Sequence, residues 1–326
     1  MPSSTPEEQL VKYLTDAYSI EEQALAQLKI APGIAGHPGL EKIFKEHLTE
    51  TEGQERLLEQ RLEAHGASPS KIKNAVMKAG GVGFAMFAKF NPDTPGKLTA
   101  HSYSYEALEQ AGYEALMHVA EKVGDRDTVD AARRIRDQEI AMKHRLADCF
   151  DAAVEASLRD LDPDDVDIQL NKYLADAHAI EAQAIKLLEK GPSIAGDPEL
   201  ANLFEEHLGE TRDHQRLVEE RLTAREGRTN SVKDAALALG AFNWGGFFAA
   251  QPDTPGKLCA FAFAFEHLEI GGYEQLKRVA RRANDEETAT IADRILVQER
   301  TAARRIEGMF DEAVAAALDA VGVMPR

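Results

Sequence analysis

Cysteine is nearly missing from this chain: two residues in 326, Cys149 and Cys259. A disulfide framework is therefore excluded, and a reducing, cytoplasmic compartment is the expected setting. Two cysteines so far apart also form no C-x-x-C pair, so any electron donor would have to be external. Aromatic residues are scarce, at 6%, with a single tryptophan. Long apolar runs are lacking too: nothing reaches the roughly 18 consecutive residues of a membrane-spanning helix. The opening MPSSTPEEQL has neither a basic nor an apolar stretch, so no export signal is expected. Positive charge is the remaining shortage. Lys and Arg number 38 against 56 Asp and Glu, a net charge of −18. That balance argues against electrostatic binding to nucleic acid or to an anionic membrane.

What is abundant is Ala, Leu, Glu and Arg, the composition of a mostly helical soluble protein. The chain also repeats itself at an offset of 160 positions. NPDTPGKL at 91–98 returns as QPDTPGKL at 251–258, and EHLTET at 46–51 returns as EHLGET at 206–211. Units of this size indicate tandem domain duplication, because solenoid repeats are far shorter. The expected division is a first domain at 1–158, an acidic linker at 159–167 and a second domain at 168–326. The shortness of the linker predicts that the halves pair as an internal pseudo-dimer. Within the first half, periodicity and punctuation predict helices A at 6–30, B at 38–64, C at 96–123 and D at 127–158. Short A–B and C–D links and a crossover at 65–95 describe an all-α, ferritin-like four-helix bundle, used twice. The crossover holds the glycine-rich AGGVGFAMFAKF and a short helical piece near 70–79.

Each helix interrupts its apolar seam with an acid. On A, Glu21 sits among Leu10, Leu14, Ala17, Ala24 and Leu28, and Glu181 holds the same place in the second copy. On B, the steps from Leu40 through Ile43, His47, Glu50 and Gln54 to Leu57 read as one face. The second copy there has His207, Glu210 and His214, a glutamate between two histidines. On C, Glu106 and Glu109 lie one turn apart, matched by Glu266 and Glu269. On D, Glu139 and Glu299 stand alone. Five like charges per half cannot share a dry core without protons or cations. Two divalent metals would neutralise most of them, and oxygen-rich ligation suits iron or manganese better than zinc or copper. His47 and His207 read either as ligands or as hydrogen-bonded core histidines. Tyr113 and Tyr273 read either as donors to a carboxylate or as plain core aromatics, and Cys259 as a thiol near the metal or a small core residue.

These motifs carry a resemblance. Asp16, Tyr18, Glu21 and Gln23 on A, His47-Leu48-x-Glu50-Thr51 with Gln54 on B, and Glu266-His267-x-Glu269-Ile270 with Tyr273 on C resemble the YciF-like (DUF892) ferritin-like proteins of the wider rubrerythrin and ferritin superfamily. The resemblance covers nearly all of both halves. It implies a carboxylate-bridged di-iron-type centre, with Glu21, Glu50, Glu106, Glu109 and Glu139 as ligands in one half. Glu181, Glu210, Glu266, Glu269 and Glu299 would be their counterparts, with His214 added. The pattern departs on D, where Met142 and Ala302 stand in for a second ligand. Two functions follow as expectations. One is a redox protein handling iron, oxygen or peroxide in a stress response. The other is a non-catalytic helical interaction module whose buried acids form a metal-free network. Mineral storage in a cage is the weaker third.

Overall fold

A computed structural model of the chain describes residues 5–67, 94–225 and 254–323. Among them are eleven helices and no strand. In the first half these are α1 (Pro6–Leu28), α2 (Ala31–Ile34), α3 (Pro38–Ala64), α4 (Thr94–Val123), α5 (Arg126–Ala147) and α6 (Phe150–Leu158). The second half has α7 (Pro163–Ile194), α8 (Pro198–Ala224), α9 (Thr254–Arg282), α10 (Glu286–Glu307) and α11 (Phe310–Ala320). The chain divides into two compact units, residues 1–157 and 158–320. The expected crossover helix near 70–79 and the glycine-rich stretch lie outside the described residues. None of the described helices is long and apolar enough to cross a membrane.

Local chemistry sets where the helices start. Thr5 and Glu8 form a reciprocal cap at α1: the Glu8 amide donates to Thr5 Oγ1 at 3.1 Å and the Thr5 amide to Glu8 Oε2 at 2.9 Å. Asp197 accepts from the amides of Glu199 and Leu200 to begin α8. Asp125 and Asp285 do the same for α5 and α10 through the amides of Thr128 and Thr288. Both oxygens of the same two aspartates also accept from one guanidinium nitrogen, Nη2, of an arginine on a neighbouring helix, Arg61 and Arg221 respectively. One residue therefore starts a helix and pins another to it.

Packing is the same in each half. In the first, α1 lies against α3 and α4, and α5 closes the square against the other two. In the second, α7, α8, α9 and α10 repeat those neighbours. This is a four-helix bundle, with the diagonal pairs facing each other across the core. One end of the first bundle is filled by Leu28, Leu40, Phe44, Leu98, Met142 and Leu146, with small alanines between them. Burying each large side chain of this kind contributes about 1.5–3 kcal/mol. Gly36 turns the chain into α3 at φ +66, a conformation only glycine adopts without strain. A Cβ there would also stand 2.7 Å from the ring of Pro95 at the start of α4.

Three boundaries differ from the sequence expectation. Helix D is not continuous to 158: α5 ends at Ala147 and α6 restarts at Phe150. The turn is tightened there, with the Cys149 amide donating to the Leu146 carbonyl, one residue short of the α-helical partner. The bend seats Phe150 edge-on against Tyr103 at 5.6 Å, and the second half repeats it with Phe310 against Phe263 at 5.1 Å. Helix A stops at Leu28 and is followed by the separate turn α2. The stretch 163–167, expected as linker, is already helical, and Asp167 Oδ1 accepts from Arg225 at 2.7 Å within its own half.

Candidate metal centre

The interior of each bundle is a carboxylate cluster at mid-height. Leu10, Leu14, Ala17, Ala24 and Leu28 of α1 are all buried, and so is Glu21 in their midst. Glu106 and Glu109 of α4 and Glu139 of α5 are buried with it, each 3% exposed or less. In the second half Glu181, Glu266, Glu269 and Glu299 are equally enclosed.

Helix B contributes differently from what the spacing suggested. Two adjacent rows on this helix both fit heptad-like steps. The buried row of α3 is Leu40, Phe44, His47, Thr51, Gln54, Leu58 and Leu62. Ile43, Glu50 and Leu57 flank it and are only half-buried. The inward polar group from this helix is therefore His47, and Glu50 turns to the rim. His47 Nε2 stands 3.2 Å from Glu106 Oε2 and 3.3 Å from Glu139 Oε2. Its Nδ1 meets Glu50 Oε2 at 3.0 Å, and Arg145 holds that carboxylate at 2.6 Å. His207 repeats this with Glu266 at 3.1 Å, Glu299 at 3.5 Å and Glu210 at 3.0 Å. Five expected inward acids thus become four acids and a histidine. Glu50 and Glu210 lie one contact further out.

Potential ligand atoms converge in three groups among the described residues. His47, Glu106, Glu109 and Glu139 form one, and His207, Glu266, Glu269 and Glu299 its counterpart. Glu181, His214 and Glu299 form a third, and within each group the donor atoms lie within 4.8 Å of one another. Glu21 stands beside the first group, its Oε1 accepting from the Tyr113 hydroxyl, as Glu181 accepts from Tyr273. Both tyrosines are therefore donors to a carboxylate. Met142 lies in the apolar end of the bundle, and its thioether sulfur is a soft donor unsuited to a hard divalent cation. Cys259 is a core residue: its thiol donates to the Ile306 carbonyl at 3.6 Å, and burial raises its pKa to about 12.

Electrostatics follow from the enclosure. Burial pushes Glu21 and Glu181 up to about 8 and Glu266 to about 7. Glu109 and Glu269 are raised well above the carboxylate range, by burial first and by the neighbouring acids next. Burial would lower His47, but Glu106, Glu50 and Glu139 overcome it and hold the ring well above its usual value. At Glu50 the hydrogen bond with His47 dominates and lowers the carboxyl to about 2. Glu139 and Glu299 part company. Burial raises Glu139, whereas at Glu299 hydrogen bonds from His207 and His214 outweigh burial and bring it to about 2.

The donor set fits a hard or borderline divalent cation. Both oxygens of Glu109, both of Glu269, and Oε2 of Glu21 and Glu181 are buried with no hydrogen-bond partner. Leaving such an atom unsatisfied costs about 1–3 kcal/mol, and more when it is charged. Glutamate oxygens with one or two imidazole nitrogens match iron or manganese.

Two tandem helical bundles, each with acids from three helices closed around an imidazole, define a class of carboxylate-cored bundle proteins. The sequence profile of the family described as Domain of unknown function (DUF892) matches residues 5–159 and again 168–319. The chain belongs to that family, in tandem. No solved structure matches it.

Proposed function

We propose that each half holds a carboxylate-lined divalent metal centre, iron or manganese, and that the protein handles iron, oxygen or peroxide, in a cytoplasmic stress-response setting. The observation that carries this reading is Glu109 with its counterpart Glu269: four carboxylate oxygens, enclosed and without a hydrogen-bond partner, facing other acids and a histidine. Residues His47, Glu106, Glu109 and Glu139, with Glu21 adjacent, would hold metal in the first half. His207, Glu266, Glu269 and Glu299, with Glu181 and His214, would do so in the second. Bound there, iron or manganese supplies one-electron chemistry toward oxygen or peroxide. The chain's own residues position the donors. Glu50 anchors Nδ1 of His47 and so aims Nε2 inward. Tyr113 and Tyr273 fix the orientation of Glu21 and Glu181. The packed end around Phe44 and Met142 keeps bulk water from the cluster. Reducing equivalents would come from an external donor.

A specific observation favours a second reading. With Glu21 and Glu181 raised to about 8, much of the cluster is neutral at physiological pH, so the acids form a metal-free network of a helical interaction module. Anaerobic loading with Fe(II), followed by metal analysis and melting with and without chelator, separates the two. The metal reading expects at least about one tightly held ion per half, a lower melting temperature after chelation, and loss of metal in Glu109→Gln with Glu269→Gln. Less than that, unchanged by the double substitution and with melting indifferent to chelator, would establish the metal-free network.

A further inference from the structure

The two halves differ at one position that bears on how many ions each can hold. In the second half, Glu299 lies between two imidazoles. Its Oε2 faces His207 Nε2 at 3.5 Å, and its Oε1 faces His214 Nδ1 at 2.7 Å. His214 Nε2 meets the side-chain carbonyl of Gln298 at 3.1 Å. With Nε2 keeping its proton on Gln298, Nδ1, which meets Glu299 through a proton in the metal-free protein, is the nitrogen that a cation would take in that proton's place, with Glu181 Oε1 at 3.8 Å. Glu181 Oε2 is buried with no hydrogen-bond partner beside it. This half therefore presents two groups of ligand atoms that share Glu299, each with its own nitrogen.

In the first half, Gln54 occupies the place of His214. Its amide nitrogen donates to Glu139 Oε1 and, at 3.3 Å, to Gln138 Oε1. An amide N–H carries no lone pair, and here it takes up the carboxylate oxygen that would complete a second group. Among the described residues, this half presents one group of imidazole and carboxylate donors, around His47; Gln54 offers beside it only a neutral amide oxygen, a weaker donor than an imidazole nitrogen.

We propose that the halves hold unequal numbers of divalent ions: a pair bridged by Glu299 in the second half, and a single ion at His47, Glu106, Glu109 and Glu139 in the first. This inference rests on the metal-centre reading above. The test is a Mn(II) titration of the full, metal-stripped chain under argon, with bound ions counted and electron paramagnetic resonance recorded. The wild type takes up about three ions per chain and shows both an isolated-ion signal and a spin-coupled pair. His214→Gln removes the coupled signal and lowers the count to about two, and Gln54→His raises it to about four by creating a second pair. A wild-type count of about four, with His214→Gln or Gln54→His leaving count and coupled signal unchanged, overturns the inequality while leaving metal binding intact. A chain that takes up no Mn(II) overturns the metal-centre reading itself, and this inference with it.

Discussion

Glu109 and Glu21 show how an enclosed acid can be read at the scale of single atoms. Burial and neighbouring acids hold Glu109 far above its ordinary range, so in the metal-free protein it carries a proton. Glu109→Gln then replaces one neutral group by another of the same shape. Urea denaturation in chelator is expected to change by less than roughly 1 kcal/mol, while the metal capacity of the first half falls. A loss of several kcal/mol in chelator would mean that Glu109 is charged and paired, against this account. Tyr113 acts by its hydroxyl, which donates to Glu21. Tyr113→Phe leaves that oxygen buried without a donor and is expected to cost about 1–3 kcal/mol in the same assay. The parallel Tyr273→Phe change should match it, because Tyr273 meets Glu181 in the same way.

Helices show where sequence reasoning reaches and where it stops. Seams on α1 and α5 are legible in the sequence, because each has one apolar row and the acid falls in it; α4 is buried on several faces, and its acids fall on the row that continues through Tyr113, Leu116 and Ala120. Glu21, Glu106, Glu109 and Glu139 are all buried as the spacing predicts. Helix α3 is amphipathic over two adjacent rows, and Glu50 and Thr51 compete for the inward position. A short hydroxyl fits the tight interface and the longer carboxylate reaches Arg145 at the rim, so Thr51 and His47 go in. Periodicity cannot weigh that choice, since the partner arginine lies 95 residues away. The break in helix D has no glycine or proline to announce it in the first copy; it exists to seat Phe150. The aspartate-capped helix starts give a test at this scale. Asp125 accepts from Thr128, Arg61 and His65 at once. Asp125→Ala removes the cap and leaves Arg61 with only Thr128 and the exposed Asp127, and is expected to cost about 2 kcal/mol, a drop of roughly 4–8 °C in melting temperature. Asp130 is 75% exposed in its side chain and pairs with the surface-lying Arg133, so Asp130→Ala should move stability by less than about 0.5 kcal/mol.

At the scale of the whole molecule, the eight glutamates of the two clusters must be neutralised by protons or by cations, and pH distinguishes these. Glu21 and Glu181 have folded values of about 8 against an ordinary 4.5. Between those values the folded state keeps protons that the unfolded chain has lost, so metal-free stability falls as pH rises. The raised His47 and His207 act in the same direction. Glu50 and Glu299, both lowered to about 2, act only in acid, where their contribution disappears as pH drops from 4.5 toward 2. Chelated protein is therefore expected to melt lower at pH 8 than at pH 6. Mn(II) should narrow or reverse that difference, because ions replace the departing protons. An equal slope with and without metal would count against cations in the cluster. The most direct test is a crystal structure of metal-loaded protein with anomalous scattering recorded at the iron and manganese edges. The account predicts peaks in both halves about 2.0–2.3 Å from oxygens of Glu109 and Glu269 and from Nε2 of His47 and His207. Crystals of loaded protein with no anomalous peak in either cluster, and glutamates hydrogen-bonded only to one another or to water, would contradict it.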